Sequence, residues 1–411
     1  MIKAWFAIPF WQRVLGAFVL GVGIGVIQPD VAILLQPLGT LFINAIKMVV
    51  APLILTAIVS AILQLQGGEG LGKLGAKTIG MFLLTAVIAS LIGLSVGSLL
   101  DIAPQGELVA QPDYVPKDVP GPAAVFLNFI PVNPFASLAD GNILQIVVFA
   151  ALVGMAINAV GEVAAPLGAV FQGGAQVMFK ITKWVLELTP IGVLGLMAWT
   201  VSSYGLSSLW PLAAFIGAIY LACLLHIVLV YGTIVKLAGL SPWYFFKAVF
   251  SEQVVAFTTC SSFGTIPAAH TAITERLGVS KSYAGFVLPL GATINMDGCG
   301  GIYPAIASIF IAQLYGIPLE WMDYVLITLT ATLASVGTAG VPGTAMVMLT
   351  VTLNTIGLPL EGIAFIAAID RVIDMIRTAT NVSGDMAIAT LLGRGELVKS
   401  ESGIGNSKPK P

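Results

Sequence analysis

Apolar residues run along this chain in stretches long enough to cross a lipid bilayer. A helix needs about 20 mostly apolar residues to span the ~30 Å hydrocarbon layer. Such runs lie near 12–30, 40–64, 77–100, 164–200 and 208–238. Between the third and fourth of these runs, residues 101–122 are polar and rich in proline, and two prolines break 123–160 into shorter pieces. The pattern predicts an all-α integral membrane protein.

Composition excludes several other classes. Charged residues make up 9% of the 411 residues and hydrophobic residues 57%, whereas a soluble domain is about 25% charged. The net charge is −2 without a basic patch, which argues against nucleic-acid binding. The three cysteines lie in apolar segments without CxxC spacing, and two histidines are too few for a histidine-built metal centre.

Lysine and arginine near the first spans predict the orientation. Lys3 and Arg13 precede the first run, and Lys73 and Lys77 lie between the second and third. Because short cytoplasmic loops carry an excess of these residues, we expect both termini in the cytoplasm and 101–122 outside. The expected location is the plasma (inner) membrane.

Small polar clusters interrupt the apolar runs in the last third of the chain. They lie at 258–267 and 335–343, and each divides about 35 residues into halves too short to span a bilayer. One such cluster alone would favour two kinked spans or tight external turns. We favour hairpins because two clusters occur, each followed by a polar helix, and interrupted segments in corresponding positions point to a transporter's midplane site.

The second polar helix carries an unusual set of side chains on one face. At 100° per residue, five of them fall within an arc of about 80°: Asp370, Asp374, Arg377, Asn381 and Asp385. Each charge at a helix centre costs ~2.5–3.5 kcal/mol in lipid. The face must therefore line a cavity or pair internally, and we expect Asp370 to pair with Arg371 or with a neighbouring helix.

The chemistry of these groups fits an acidic amino acid. Arg377 offers a planar fork for a carboxylate, and Asp374, one turn earlier, can hold an ammonium group. Ser262, in the first cluster, can contact a second carboxylate.

Oxygen-bearing side chains on the two polar helices suit a hard cation. Asn295, Asn381 and Asp385 form one candidate set, and Asp297 could serve a second cation.

Three long motifs resemble the dicarboxylate/amino acid:cation symporter family, also called the glutamate transporter family. They are Asn-Met-Asp-Gly at 295–298, Gly-Thr-Ala-Gly-Val-Pro-Gly at 337–343, and D-x-x-x-D-x-x-R-T-x-x-N-x-x-G-D at 370–385. The resemblance runs from the second span to Arg394. It implies eight transmembrane helices plus two re-entrant helical hairpins, inverted repeats, a homotrimer and an elevator-type movement.

The resemblance also implies a division of the chain. Residues 1–76 form a scaffold of two spans, and 77–121 hold the third span, which belongs to the transport domain, and an external loop. Residues 122–240 hold spans four to six, with the fourth and fifth in the scaffold and trimer interface and the sixth in the transport domain. Residues 241–395 form the transport core, and 396–411 a disordered tail.

Site residues are implied in the same way. Substrate contacts fall on Ser262, Cys299, the backbone of Gly340 and Val341, and Asp374, Arg377, Thr378 and Asn381. The first sodium site corresponds to Gly291, Asn295, Asn381 and Asp385, the second to Thr293, Met296, Ser335 and Thr338, and the third to Thr85, Asn295 and Asp297.

Several positions depart from the family pattern. Cys299 replaces a threonine that contacts the distal carboxylate, and Ala345 replaces a glycine near the substrate. Cys260 stands where some relatives have an arginine, and Phe263 interrupts the serine cluster. Near the third sodium site the chain has Phe82 and Ala86 instead of a tyrosine and a serine.

The resulting hypothesis is a Na⁺-driven importer of aspartate or glutamate, and not an enzyme. A proton-coupled glutamate or C4-dicarboxylate symporter is the alternative, although Tyr303 stands where proton-carrying relatives have a glutamate. An intramembrane aspartyl protease is the rival from another class. Only Gly384-Asp385 matches its Gly-x-Gly-Asp element, because position 382 is valine.

Overall fold

The computed structural model describes residues 8, 10–63, 71–103, 130–336, 340 and 343–403. Within these ranges the chain is helical and contains no strand. Most of the predicted external loop, the sites at Thr338 and Val341, and residues 404–411 lie outside the described residues.

The described residues of the first half of the chain lie mostly in long helices. In chain order they are α1 (Phe10–Ile27), α2 (Pro29–Leu63), α3 (Leu71–Leu100), α4 (Pro134–Asp140), α5 (Ile143–Val160), α6 (Ala165–Leu186) and α7 (Thr189–Tyr204). The sequence predicts the second apolar run from residue 40, but α2 begins at Pro29. A proline is well placed there because the first turn of a helix needs no backbone N–H.

The second half of the chain contains several short helices and two long ones, at 211–237 and 363–403. They are α8 (Pro211–Leu237), α9 (Pro242–Thr259), α10 (Ser262–Thr271), α11 (Lys281–Ile294), α12 (Tyr303–Leu314), α13 (Trp321–Ser335), α14 (Thr344–Ile356) and α15 (Ile363–Gly403). A π-helical stretch at His226–Tyr231 lies within α8, and another at Asp297–Ile302 leads into α12. α15 extends to Gly403, into the segment predicted to be a disordered tail.

Four helical stretches among the described residues are long and apolar enough to cross a membrane. They are Pro29–Ser60, Leu74–Leu100, Gln145–Leu186 and Pro211–Leu237. Large apolar side chains on these helices face outward, including Leu34, Leu99 and Val163. A soluble protein rarely exposes such a continuous apolar surface, so these faces are suited to lipid.

The helices pack in two groups. α1 and α2 pack against α7, and α2 also packs against α5 and α6. In the second half, α15 packs against α8, α9 and α11, while α13 packs against α14. The second group holds all the polar helix faces predicted from the sequence.

Two helix junctions meet next to α15. Cys260 adopts a left-handed conformation (φ 53°) between α9 and α10. The backbone N–H of Phe263 donates to the carbonyl oxygen of Gly340 at 3.4 Å, and the Ser261 hydroxyl donates to the same oxygen at 3.3 Å. These bonds join the α9–α10 turn to the α13–α14 connection, and we call the two segments the tips.

Candidate functional site

A break in the helical backbone places polar groups next to α15. α11 ends at Ile294, and neither Asn295 (φ −92°, ψ 72°) nor Met296 (φ −108°, ψ 52°) has helical dihedral angles. The helical path resumes at Asp297. Backbone and side-chain oxygens at the break are therefore free to face the neighbouring helix.

The polar face of α15 is buried, as its spacing predicts. The five members Asp370, Asp374, Arg377, Asn381 and Asp385 are all less than 8% exposed. Arg371 lies off this face, is partly exposed, and donates to the carbonyl oxygen of Thr258 at 3.1 Å. The expected pairing of Asp370 with Arg371 or another helix is wrong, because Asp370 pairs with Arg377 on its own helix.

Arg377 lies at the centre of this buried network and is fully buried. Its Nη2 is 2.7 Å from an oxygen of Asp370 and 3.2 Å from one of Asp374. The guanidinium carbon lies 4.0 Å from the centre of the Tyr303 ring. Within the described part of the chain, Nε and Nη1 of Arg377 have no hydrogen-bond partner.

A narrow cavity, with free space for about one water molecule, lies between the tips and α15. Its lining comprises Cys260, Ser262, Met296, Cys299, Gly340, Thr344, Ala345, Asp374, Thr378 and Asn381. Arg377 is not part of the lining, but its guanidinium pairs with Asp374, which is.

The predicted substrate contacts converge on this cavity. The Asn381 side-chain oxygen accepts from the Gly298 backbone N–H at 2.8 Å, and its nitrogen contacts the sulfur of Cys299 at 3.3 Å. The Cys299 thiol lies 3.8 Å from an oxygen of Asp374. A Cβ atom on Gly340 would lie 2.8 Å from that of Ser262, so the tips approach one another closely at the cavity.

The first predicted cation set also comes together. The Asn295 side-chain nitrogen donates to a carboxylate oxygen of Asp385 at 2.8 Å and lies 3.5 Å from the Asn381 carbonyl oxygen. A side chain at Gly291 would overlap that same carboxylate. The absence of a Cβ therefore lets Asp385 approach the last turn of α11.

Only part of the second predicted cation set lies within the described residues. The Ser335 hydroxyl, fully buried at the end of α13, donates to the carbonyl oxygen of Ile294 at 3.4 Å. Thr293 and Met296 flank that carbonyl along the chain. Three of the four predicted residues therefore lie at or beside the helix break, and Thr338 lies outside the described residues.

Comparison with known proteins decides the family. The sequence profile of the sodium:dicarboxylate symporter family matches residues 10–394. This chain belongs to the sodium:dicarboxylate symporter family. The predicted membership is thus confirmed, and the protein is a membrane-integral transporter rather than an enzyme.

Relatives from several bacteria cover most of the chain. A proton/sodium-glutamate symport protein of Bacillus caldotenax is 36% identical over 401 residues, which is 94% of each chain. A proton/glutamate-aspartate symporter of Escherichia coli K12 is 36% identical over 371 residues, 87% of this chain and 84% of that protein. A C4-dicarboxylate transport protein of Rhodopseudomonas palustris is 34% identical over 397 residues, 95% and 88% of the two chains.

In the third predicted cation set, Asp297 contacts two residues that the sequence did not indicate. Thr85 donates to the Asn295 side-chain oxygen at 3.4 Å. Asp297, however, accepts at one oxygen from the Tyr231 hydroxyl at 2.7 Å, and the same oxygen lies 3.0 Å from Nε2 of His226. The histidine and the tyrosine come from α8, about 70 residues earlier, and no spacing rule links them to Asp297.

The rest of that third set offers few oxygens. The side chains of Phe82 and Ala86 are fully buried in α3, close to Thr85 in sequence, and neither carries an oxygen. The second oxygen of Asp297 has no hydrogen-bond partner among the described residues. The residues present therefore supply a carboxylate, a hydroxyl and an amide, which is fewer side-chain oxygens than the family resemblance implies.

Proposed function

We propose that this protein imports acidic amino acids, aspartate or glutamate, together with Na⁺. The observation that carries the proposal is the pairing of Asp374 with Arg377 beside a small buried cavity. A fixed anion and a fixed cation one helical turn apart match an ammonium group and a side-chain carboxylate on one substrate. The names of the glutamate and aspartate symporters among the relatives support this substrate class.

The C4-dicarboxylate transporters among the relatives make a succinate-like substrate the alternative. Arg377 already faces two carboxylates, those of Asp370 and Asp374, and a dicarboxylate would bring two more without an ammonium group to balance them. Buried negative charges without enough positive partners are strongly unfavourable. This argument favours an amino acid.

Sodium is the coupling ion that the donors fit best. Asp385, Asn295 and the carbonyl oxygens at the helix break provide hard oxygen ligands, and neither glutamate nor histidine occurs between Asp370 and Asp385. Relatives are named for both proton and sodium symport, so proton coupling is the alternative. The poor oxygen supply around Thr85 argues for fewer than three bound Na⁺.

The proposed architecture follows the family resemblance. It has eight transmembrane helices, and the α9–α10 and α13–α14 pairs form two re-entrant hairpins whose tips meet at the cavity. α1, α2 and residues 122–204 form a trimeric scaffold, whereas α3, α8 and residues 241–395 move as a transport domain. Both termini lie in the cytoplasm, with the protein in the inner membrane. The contact of the two tips over the cavity supports the gating role that this arrangement gives them.

Uptake by purified protein in liposomes tests the substrate class. Radiolabelled aspartate should accumulate under an inward Na⁺ gradient and should be displaced by unlabelled aspartate or glutamate. Displacement by succinate and not by either amino acid would replace the proposal by the dicarboxylate alternative.

A further inference from the structure

Three sulfur-bearing side chains line the cavity between the tips and α15. Cys260 lies at the turn between α9 and α10, Met296 at the break after α11, and Cys299 just beyond that break. All three residues are buried, with exposures of 6% or less. Thiols and thioethers are weak hydrogen-bonding groups, so binding of an amino acid does not account for three sulfur atoms around one cavity.

The sulfur atoms lie around a very small space. The side-chain nitrogen of Asn381 is 3.1 Å from the sulfur of Met296 and 3.3 Å from that of Cys299. The Cys299 thiol also lies 3.8 Å from a carboxylate oxygen of Asp374. Because the cavity has free space for about one water molecule, a single ion within it lies close to every wall, including Cys260.

Sulfur ligands of this kind select a soft metal ion. Thiolate and thioether groups prefer Cu(I) and similar soft ions, whereas carboxylate and carbonyl oxygens suit hard cations such as Na⁺. Soft monovalent ions such as Cu⁺ and Ag⁺ are commonly satisfied by two or three sulfur ligands. The two thiols and the thioether at the cavity provide such a set. A thiol that binds the ion as a thiolate releases its proton to the solution.

We infer that the cavity is a binding site for one soft metal ion of the Cu(I) class, held by Cys260, Met296 and Cys299, and that this ion keeps the substrate out. The ion links the α9–α10 tip, through Cys260, to the segment after the polar break, through Cys299. Ser262 and Asp374 line the same cavity, so the ion occupies the space beside the proposed contacts of an amino acid. Only this exclusion of the substrate rests on the proposed function.

Silver binding by the purified protein tests the site independently of transport. In chloride-free buffer, with silver nitrate as the probe, equilibrium dialysis should show one tightly bound Ag⁺ per chain. Cys260→Ser and Cys299→Thr should each weaken this binding by at least about tenfold, since even the outer partners of a metal site contribute about 10–100-fold in affinity. Cys223→Ala is the matched control and should bind Ag⁺ like the wild type, because Cys223 is fully buried outside the cavity lining.

The absence of a tightly bound Ag⁺ in the wild type, or equal binding by all four proteins, would overturn the metal site. Saturating Ag⁺ should also abolish Na⁺-driven aspartate uptake by the wild type, whereas Cys299→Thr should keep most of its own silver-free uptake. Wild-type uptake that continues with the ion bound, or equal inhibition of Cys299→Thr, would overturn the exclusion of the substrate. A wild-type protein that takes up no acidic amino acid before silver is added would instead overturn the proposed function, while the dialysis result still decides the metal site.

Discussion

Asp374 and Arg377 carry opposite charges in one buried network, and their different positions give them different roles. Asp374 lines the cavity, whereas Arg377 does not and has two nitrogens unpaired among the described residues. A ligand carboxylate that reaches Arg377 gains a charge-assisted hydrogen bond in a buried site. An ammonium group that reaches Asp374 neutralises a buried carboxylate.

Replacing Arg377 by cysteine should remove selectivity for acidic substrates. Losing a hydrogen bond to a charged group costs about 1.5–3 kcal/mol, so the KM for aspartate should rise roughly ten- to a hundredfold. Uptake kinetics in liposomes measure this change in the KM for aspartate. Arg371→Cys is the control, because Arg371 is partly exposed and donates to the carbonyl oxygen of Thr258. Near-native aspartate affinity in Arg377→Cys would show that another group binds the carboxylate.

Asp374→Asn should impair amino acids more than dicarboxylates. The substitution removes the negative charge that faces an ammonium group, and succinate lacks that group. Competition by unlabelled aspartate and succinate gives the two affinities. Asp370→Asn serves as the control, since Asp370 also pairs with Arg377 but does not line the cavity. Equal losses for both competitors in Asp374→Asn would make this residue a structural partner of Arg377.

The two tips depend on a close backbone approach. A Cβ atom on Gly340 would lie 2.7 Å from the Ala292 carbonyl oxygen and 2.8 Å from the Ser262 Cβ. Such distances force one element to shift. The carbonyl oxygen of Gly340 also joins the tips by accepting from Phe263 and Ser261. The geometry of the closed cavity is therefore sensitive to the size of residue 340.

Gly340→Ala should separate the tips and lower uptake. We expect a loss of at least about tenfold in kcat/KM, because a displacement of about 1 Å near a binding site can cost up to a hundredfold. Gly285→Ala on α11 is the control, since a Cβ atom there meets nothing within 4 Å. Unchanged uptake by Gly340→Ala would show that the tips need not meet during transport.

The sequence predicted which residues share the buried face of α15. It did not predict which residues of other helices contact the buried charges. A spacing of three or four residues places Asp370, Asp374 and Arg377 on one face, and all three are buried. Arg371, the partner of Asp370 that the sequence suggested, instead donates to the carbonyl oxygen of Thr258 on α9. The contacts of His226 with Asp297 likewise join distant segments. Periodicity describes one helix at a time, and such contacts arise only when helices pack.

The proposed division into a scaffold and a transport domain would separate two sets of packed helices. Among the described residues α2 packs against α1, α5, α6 and α7, while the helices around α15 hold the buried polar faces. The exposed apolar side chains on α2, α5 and α6 suit contact with lipid or with other copies of the chain. An elevator movement requires this kind of separation between a fixed and a moving group.

The orientation can be tested by labelling intact cells. A cysteine introduced at Asp113, in the segment predicted to be external, should react with an impermeant thiol reagent added from outside. The native cysteines at 223, 260 and 299 are buried, so the wild-type protein provides the background. Labelling that appears only after the cells are made permeable would reverse the predicted topology.

Ion-gradient uptake by the purified protein in liposomes tests the central claim most directly. An inward Na⁺ gradient at equal pH on both sides should concentrate aspartate inside, and replacing Na⁺ by choline should abolish the accumulation. Asp385→Asn should weaken the dependence on Na⁺, because it removes the carboxylate of the first cation set. Accumulation driven by a pH gradient in Na⁺-free buffer, without any response to added Na⁺, would contradict the account.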